Sequence, residues 1–331
     1  MLGMMERTLD IATLTDLFGD RLKRNVPLAR YTSARVGGNA DALIAANSAD
    51  ELAQVSIDLW RIGAPFLILG GGSNVLVSDA GVRQVVVHNR ARSVRFAEQA
   101  EPPTVWAESG ANFGVIARQA AQRGLSGLEW AAGIPGTVGG AVVGNAGAHD
   151  GDVHGRLIMA EILHDPGQED AEMSSFVREM WPVEKLAYGY RTSLLKYGME
   201  LAQTQPDAPD AVVLAATFRL ETSTPQAVQA KIDRFVAYRR ITQPPGASMG
   251  SMFKNPHQDY AGRLIEAAGL KGARVGEAEI SPLHANFFIN HGEAKAADIY
   301  RLIRMARQAV FEKFGVDLEL EIGLIGEWEQ A

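Results

Sequence analysis

The chain has 331 residues, 47% of them hydrophobic and 21% charged, a balance that suits folded domains and excludes a disordered chain. Its formal net charge of −7 argues against a general nucleic-acid binder, so any anionic ligand must be held by a local arrangement. The absence of cysteine excludes disulfides, thiolate zinc sites and iron–sulfur clusters and suits a reducing cytoplasm.

The N-terminal stretch MLGMMERTLD is charged early and lacks the apolar core of a signal peptide. The longest apolar runs are far shorter than a membrane span, so no membrane insertion is expected. Residues 48–63 place Leu52, Val55, Leu59 and Ile62 at helical spacing. The runs APFLILG, VLVSD and VRQVVVH that follow are short, β-branched and divided by glycines, hence strands. TVWAESG predicts another strand, and NFGVIARQAAQRG a helix stopped at Gly124. Residues 125–155 are rich in glycine and poor in charge. Strands and loops are expected over 157–195, with a polar surface excursion at 165–175 and a further loop over 196–211. VVLAATFRL (212–220) reads as a strand. A long helix begins at the Ser-Thr-Pro of 223–225 and ends at Pro244-Pro245, where two prolines break it. The C-terminal part then reads helix (260–268), strand (285–290), helix (294–314) and strand (318–326). The best domain boundary on this pattern lies near residue 222, and no histidine or carboxylate cluster suggests a metal site.

Two glycine segments carry the chemistry. LGGGSNVLVSD (69–79) lacks the lysine of a Walker loop, and it leads into a strand rather than the helix of a Rossmann fingerprint. What fits is a loop between two strands whose N–H groups form an anion nest, with a plain β-turn as the structural alternative. WAAGIPGTVGGAVVGNAGAHDG (130–151) is studded with Ile, Val and Ala, unlike a linker, and reads as buried irregular backbone packed against something flat.

In order along the chain, YTSARVGGNAD (31–41), LGGGSNVLVSD, GLEWAAGIPGTVGGAVVGNAGA, GYRTS (189–193), GSMFKNP (250–256), AGRLIEAAGLKGARVGEAEISPLHANFFIN (261–290) and LELEIGLIG resemble the UDP-N-acetylenolpyruvoylglucosamine reductase family, in its shorter subtype without an extra tyrosine loop. The resemblance covers roughly residues 25 to 326. It implies an α+β fold: a vanillyl-alcohol-oxidase-type FAD-binding domain of two subdomains (1–90 and 91–222) and a C-terminal α/β substrate-binding domain (223–331). It also implies a cytoplasmic flavoprotein of cell-wall (peptidoglycan) precursor synthesis, linked through that pathway to cell shape and division. NADPH and UDP-N-acetylglucosamine-enolpyruvate would be its substrates, and no protein partner is indicated.

Carried onto this sequence, the family pattern assigns non-covalent FAD to Arg35, to Gly70, Gly71, Gly72, Ser73, Asn74 and Val75, and to Ala132, Gly133, Ile134, Pro135, Gly136, Thr137, Gly140 and Asn145. Ser251 matches the proton donor, and Arg191 and Glu321, the latter on the last strand pattern, the groups that stabilise the enolate. Tyr190, Asn255 and His284 match substrate contacts. The residue chemistry agrees with these roles. A serine is a feeble acid that can protonate only a strongly basic carbon, and an arginine fork suits a carboxylate. His149-Asp150 departs from the usual aromatic and glycine after Asn-Ala-Gly. Arg239 and Arg240 could clamp a diphosphate or simply suit a helix C-terminus. The rival readings are another flavin-dependent oxidoreductase of the same fold and a non-catalytic nucleotide-sugar binder.

Overall fold

The computed structural model describes residues 9–164, 176–196 and 211–328. The excursion at 165–175, and all but the first and last residues of the 196–211 loop, lie outside the described residues. The chain divides into two compact units. One takes in the chain up to Ala45, Asp58–His88 and everything from Gln243 on; the other takes in Ala46–Ile57 and Asn89–Thr242.

The first unit contains a four-stranded sheet in the order Lys23–Pro27, Asn39–Ala46, Val82–Asn89, Phe66–Leu69. Its first pair is antiparallel and its last parallel. The β-branched run Val85, Val86 and Val87 is buried without interruption, as befits a central strand covered on both faces. Leu28, Ala40, Leu43, Leu69, Val77, Val82 and Val86 form its core.

The C-terminal part of the same unit has a separate core. The helix Ala296–Phe314 buries Ile299, Leu302, Ile303, Ala306 and Val310, a stripe at three- and four-residue spacing. It stops at Gly315, which takes the left-handed φ of 66° that a glycine accepts without strain. Its first two free N–H groups, on Ala296 and Ala297, donate to the Asp79 carboxylate at 2.9 and 2.8 Å, a cap supplied from far along the chain. The helix Ala261–Ala267 and an antiparallel sheet of Arg274–Val275, Ala278–Ile280 and Phe288–Asn290 complete this part.

The second unit is built on a five-stranded antiparallel sheet in the order Val177–Pro182, Leu157–His164, Ala211–Arg219, Thr104–Glu108, Val94–Ala97. The helix Phe113–Gln122 packs its Phe113 ring on the fully buried Phe218, with ring centroids 5.0 Å apart. The helix Pro225–Thr242 buries Val228 and Ile232 in the same core. One division between the compact units falls at its end, between Thr242 and Gln243.

Three local expectations change. Residues 138–144, read as irregular backbone, are helical. Only Gly323–Ile325 of the expected strand 318–326 is strand, because it pairs in parallel with Val75–Val77. Within the expected strand 285–290, only Phe288–Asn290 belongs to a sheet.

Glu129 is a buried carboxylate in the second unit, at 6% exposure. It accepts from Ser126 Oγ (2.6 Å) and the Gly127 N–H (2.8 Å). Burial pushes its pKa up, but those hydrogen bonds and Lys231 outweigh it and hold the pKa below the ordinary carboxylate value. A pKa lowered by folding gives stability that is present above the unfolded value and lost as pH falls through the folded one. Glu129→Gln should therefore lower unfolding free energy by about 1–3 kcal/mol at neutral pH. That gap should narrow in acid when both proteins are unfolded in urea across pH.

Candidate functional site

In the first unit, the loop Gly70–Asn74 links strand Phe66–Leu69 to strand Val75–Val77, which lie in different sheets. Gly72 is buried and has φ 57°. A Cβ there would lie 2.0 Å from the Tyr31 carbonyl oxygen, so this glycine is required by the chain's own backbone. Gly71 is exposed, and here a ligand can reach the main chain. The segment from Tyr31 to Arg35 is tied to the loop, since the Ser33 N–H donates to Gly72 O at 2.9 Å. Arg35 has a left-handed φ of 56°. It lines a cavity of about 370 Å³ together with Pro245, Gly246, Ala247 and Ile289–Gly292.

The catalytic serine and glutamate of the sequence reading come together in this unit. Ser251 forms an antiparallel bridge with Phe287, and Phe253 one with Leu320. The Glu321 N–H donates to Met252 O (3.0 Å), and the Lys254 N–H to Glu319 O (2.9 Å). Asn74 of the glycine loop donates through Nδ2 to the Glu321 carbonyl at 3.0 Å, and Gly323 N–H donates to Asn74 O at 2.9 Å. The glycine loop and the Ser251 and Glu321 segments are thus laced by hydrogen bonds, all main-chain but the one from Asn74 Nδ2, around one corner. Glu319, the other glutamate of the alternation, is exposed and pairs with Lys254. Fully buried Met252 and Phe253 anchor the serine strand.

Asn255 and His284 flank the start of helix Ala261–Ala267. Asn255 Oδ1 accepts from the Ala261 N–H (3.1 Å). His284 Nδ1 accepts from the Asn286 N–H (3.2 Å). Each uses its acceptor on the backbone and so presents a donor: the Asn255 amide, and His284 Nε2–H. Burial, more than any neighbouring charge, pushes the His284 pKa down and keeps the ring neutral at pH 7.

In the second unit, Tyr190 and Arg191 form the tip of a tight turn closed by the Gly189–Thr192 bridge. Arg191 has φ 56°. Its guanidinium donates to Gly147 O at 2.5 Å and Asn145 O at 3.4 Å, and stacks on Tyr190 at 5.2 Å. Asn145 is 4% exposed, and its side chain serves the chain itself. It donates to Gly189 O (2.9 Å) and accepts from the His154 N–H (3.0 Å). Tyr188 and Ser193, which the sequence did not single out, hold the same turn through hydroxyl bonds to Val142 O (2.8 Å) and Val143 O (2.7 Å). Ser193 ends GYRTS and Tyr188 directly precedes it, and that motif is the sequence signal that could have marked them.

The segment Ala132–Thr137 lies over buried Ala131, Ala132 and Val138. Within it and just after it, N–H groups find partners in the chain rather than needing a ligand. Ile134 donates to Ala131 O (3.0 Å), Val138 to Ala111 O (2.9 Å) and Gly139 to Ser109 O (2.7 Å). Gly140 is exposed, and a Cβ there would meet nothing nearer than Thr137 Oγ1 at 3.8 Å. His149 and Asp150 both take left-handed backbone, φ 51° and 62°, which explains why a glycine suits the second position.

A profile of the UDP-N-acetylenolpyruvoylglucosamine reductase C-terminal domain matches residues 242–325, and one of an FAD-binding domain matches 40–165. UDP-N-acetylenolpyruvoylglucosamine reductase of Chloroflexus aggregans is 43% identical over 304 residues, covering 92% of this chain and 97% of that relative. The chain belongs to the UDP-N-acetylenolpyruvoylglucosamine reductase family. The Chloroflexus aurantiacus reductase is 44% identical over 90% of this chain and 96% of the relative. The crystal structure of the Thermus caldophilus reductase superposes with a TM-score of 0.73 at 33% identity, over 92% of this chain and 99% of that one. The protein is therefore an FAD-dependent oxidoreductase of peptidoglycan precursor synthesis, with the α+β, vanillyl-alcohol-oxidase-type architecture that the resemblance implied. Each unit by itself offers main chain that such a cofactor could reach: the exposed Gly71 in the first, and the exposed Gly140 in the second. Among the described residues no helix is long and apolar enough to cross a membrane.

Proposed function

We propose that the chain reduces UDP-N-acetylglucosamine-enolpyruvate to UDP-N-acetylmuramate with electrons from NADPH, in the cytoplasm. FAD, when bound, supplies hydride exchange between NADPH and the enolpyruvyl double bond. Gly70–Val75, Arg35, Ala132–Thr137 and Gly140 are its holders in this reading, with Asn145 keeping the second loop in shape. One hydride and one proton add across the double bond, and hydride arrives at the terminal carbon. Ser251 gives its hydroxyl proton to the neighbouring carbon, which carries the developing negative charge. Arg191 grips the attached carboxylate and draws that charge away from the carbon. Glu321 shares with Arg191 the stabilisation of the enolate, from a segment hydrogen-bonded to the one that carries Ser251. Asn255, His284 and Tyr190 contact the nucleotide sugar, the first two as donors.

The observation that carries this reading is the hydrogen-bond lacing of the Ser251 segment, Glu321 and the glycine loop through Met252 O and the Asn74 amide. An alcohol-oxidising flavoenzyme has no need of a serine and a glutamate so joined. The test is NADPH oxidation by the purified protein with and without the enolpyruvyl nucleotide. Oxidation that depends on that substrate and yields the lactyl ether is expected, whereas a rate indifferent to it would defeat the proposal.

A further inference from the structure

In the second unit the helix Pro225–Thr242 carries Phe235, Tyr238 and Arg239 toward the glycine-rich segment. The His149 ring stacks on Phe235, with centroids 4.3 Å apart and planes within 3°, and meets Tyr238 edge-on at 5.6 Å. Its Nε2 is buried and has no hydrogen-bond partner. Arg239 lies against the loop: a Cβ on Gly133 would stand 2.8 Å from its Cδ and 3.2 Å from its Nε. A side chain at Gly133 would have to displace the arginine. Burial alone lowers the Arg239 pKa, and its charge in turn helps hold His149 below the ordinary imidazole value, after burial of the ring itself.

Arg239 is partly buried, yet it makes no hydrogen bond or ion pair among the described residues. A guanidinium removed from water without an acceptor is costly. So is a buried imidazole nitrogen without a partner. Two such groups, one on this helix and one stacked against it, on a chain of net charge −7, make a local receptor for an anion.

We propose that Arg239, admitted by Gly133 and assisted by His149, binds the diphosphate of a nucleotide ligand of this enzyme. The planar fork of arginine matches phosphate oxygens in pairs. The FAD-binding profile covers Gly133 and His149, and FAD and UDP-sugars alike carry a diphosphate. The inference rests on the reductase reading and adds to it the cation that holds the diphosphate.

The experiment compares the wild type with Arg239→Gln, Arg239→Lys and His149→Phe, the last keeping the stack on Phe235. FAD and FMN are titrated into the apoprotein by fluorescence quenching, and UDP into the holoenzyme by perturbation of the flavin spectrum. If the cofactor's diphosphate is held, Arg239→Gln weakens FAD at least about tenfold while FMN, which lacks the second phosphate, is unchanged. If the nucleotide sugar's diphosphate is held, FAD binding persists and UDP weakens at least about tenfold. Arg239→Lys and His149→Phe should fall between these and the wild type. Apoprotein melting temperature should stay level in Arg239→Gln, since no protein bond is lost. Affinities for FAD and UDP both within about twofold of wild type would overturn the proposal. A wild type that binds both ligands but fails to reduce the enolpyruvyl nucleotide would instead count against the reductase reading.

Discussion

Ser251→Ala should leave reduction of the bound flavin by NADPH at its wild-type rate, and slow flavin reoxidation by the enolpyruvyl nucleotide by about 10³-fold, within the range general acids contribute. The serine hydroxyl enters only the second half-reaction, as the source of the proton. The substitution removes one oxygen and leaves the structure that holds the residue. Ser251 is placed by its bridge to Phe287, and its neighbours by the Met252 N–H bond to Asn286 O (2.8 Å) and the reciprocal Phe253–Asn286 side-chain bonds. None of these uses the hydroxyl. Stopped-flow absorbance separates the two halves. A variant slowed equally in both would show that Ser251 shapes the site instead of supplying the proton.

Substitutions at two adjacent glycines should fail for different reasons. Gly72→Ala places a Cβ 2.0 Å from Tyr31 O and 2.9 Å from Thr32 Cα, at φ 57°. Left-handed strain and overpacking together should cost about 2–5 kcal/mol, with or without cofactor. The apoprotein should melt lower by many degrees, or accumulate insoluble. Gly71 is exposed and lies outside the left-handed region, so Gly71→Val should fold and melt like wild-type apoprotein. It should nevertheless purify colourless, because the new side chain covers the main chain that the diphosphate must reach. A yellow, fully loaded Gly71→Val would mean that this loop does not carry the cofactor. A Gly72→Ala apoprotein as stable as wild type would contradict the packing around Tyr31.

Much of the fold was legible in short windows. The helix at Phe113–Gln122 follows from apolar spacing, with Asn112 Oδ1 accepting from the Val115 N–H at 2.9 Å as its cap. The Val75–Val77 and Val82–Asn89 strands follow from β-branched runs between glycines. The long helix ends at Thr242, ahead of the two prolines. Residues 318–322 misled because their apolar alternation is real, with Leu318 and Ile322 buried. Alternation reports which side faces the core, while a strand also needs a continuous partner: Leu320 has only an isolated bridge to Phe253, and a paired run begins at Gly323. The helix Val138–Gly144 was hidden by its glycines, which lower helix propensity without forbidding a buried turn or two.

The candidate site divides along the same line. By itself the sequence determined the family, the glycine loops and the residue types able to bind a dinucleotide and protonate a carbon, because motif order and local spacing survive in one dimension. Only the tertiary structure decided that Asp79 caps a helix 217 residues later. It alone decided that Asn74 meets Glu321 across a separation of 247, and that Arg239 lies against Gly133. Such contacts join backbone and side-chain groups distant in sequence. They are chosen by which apolar faces pack together, and no local pattern records that choice.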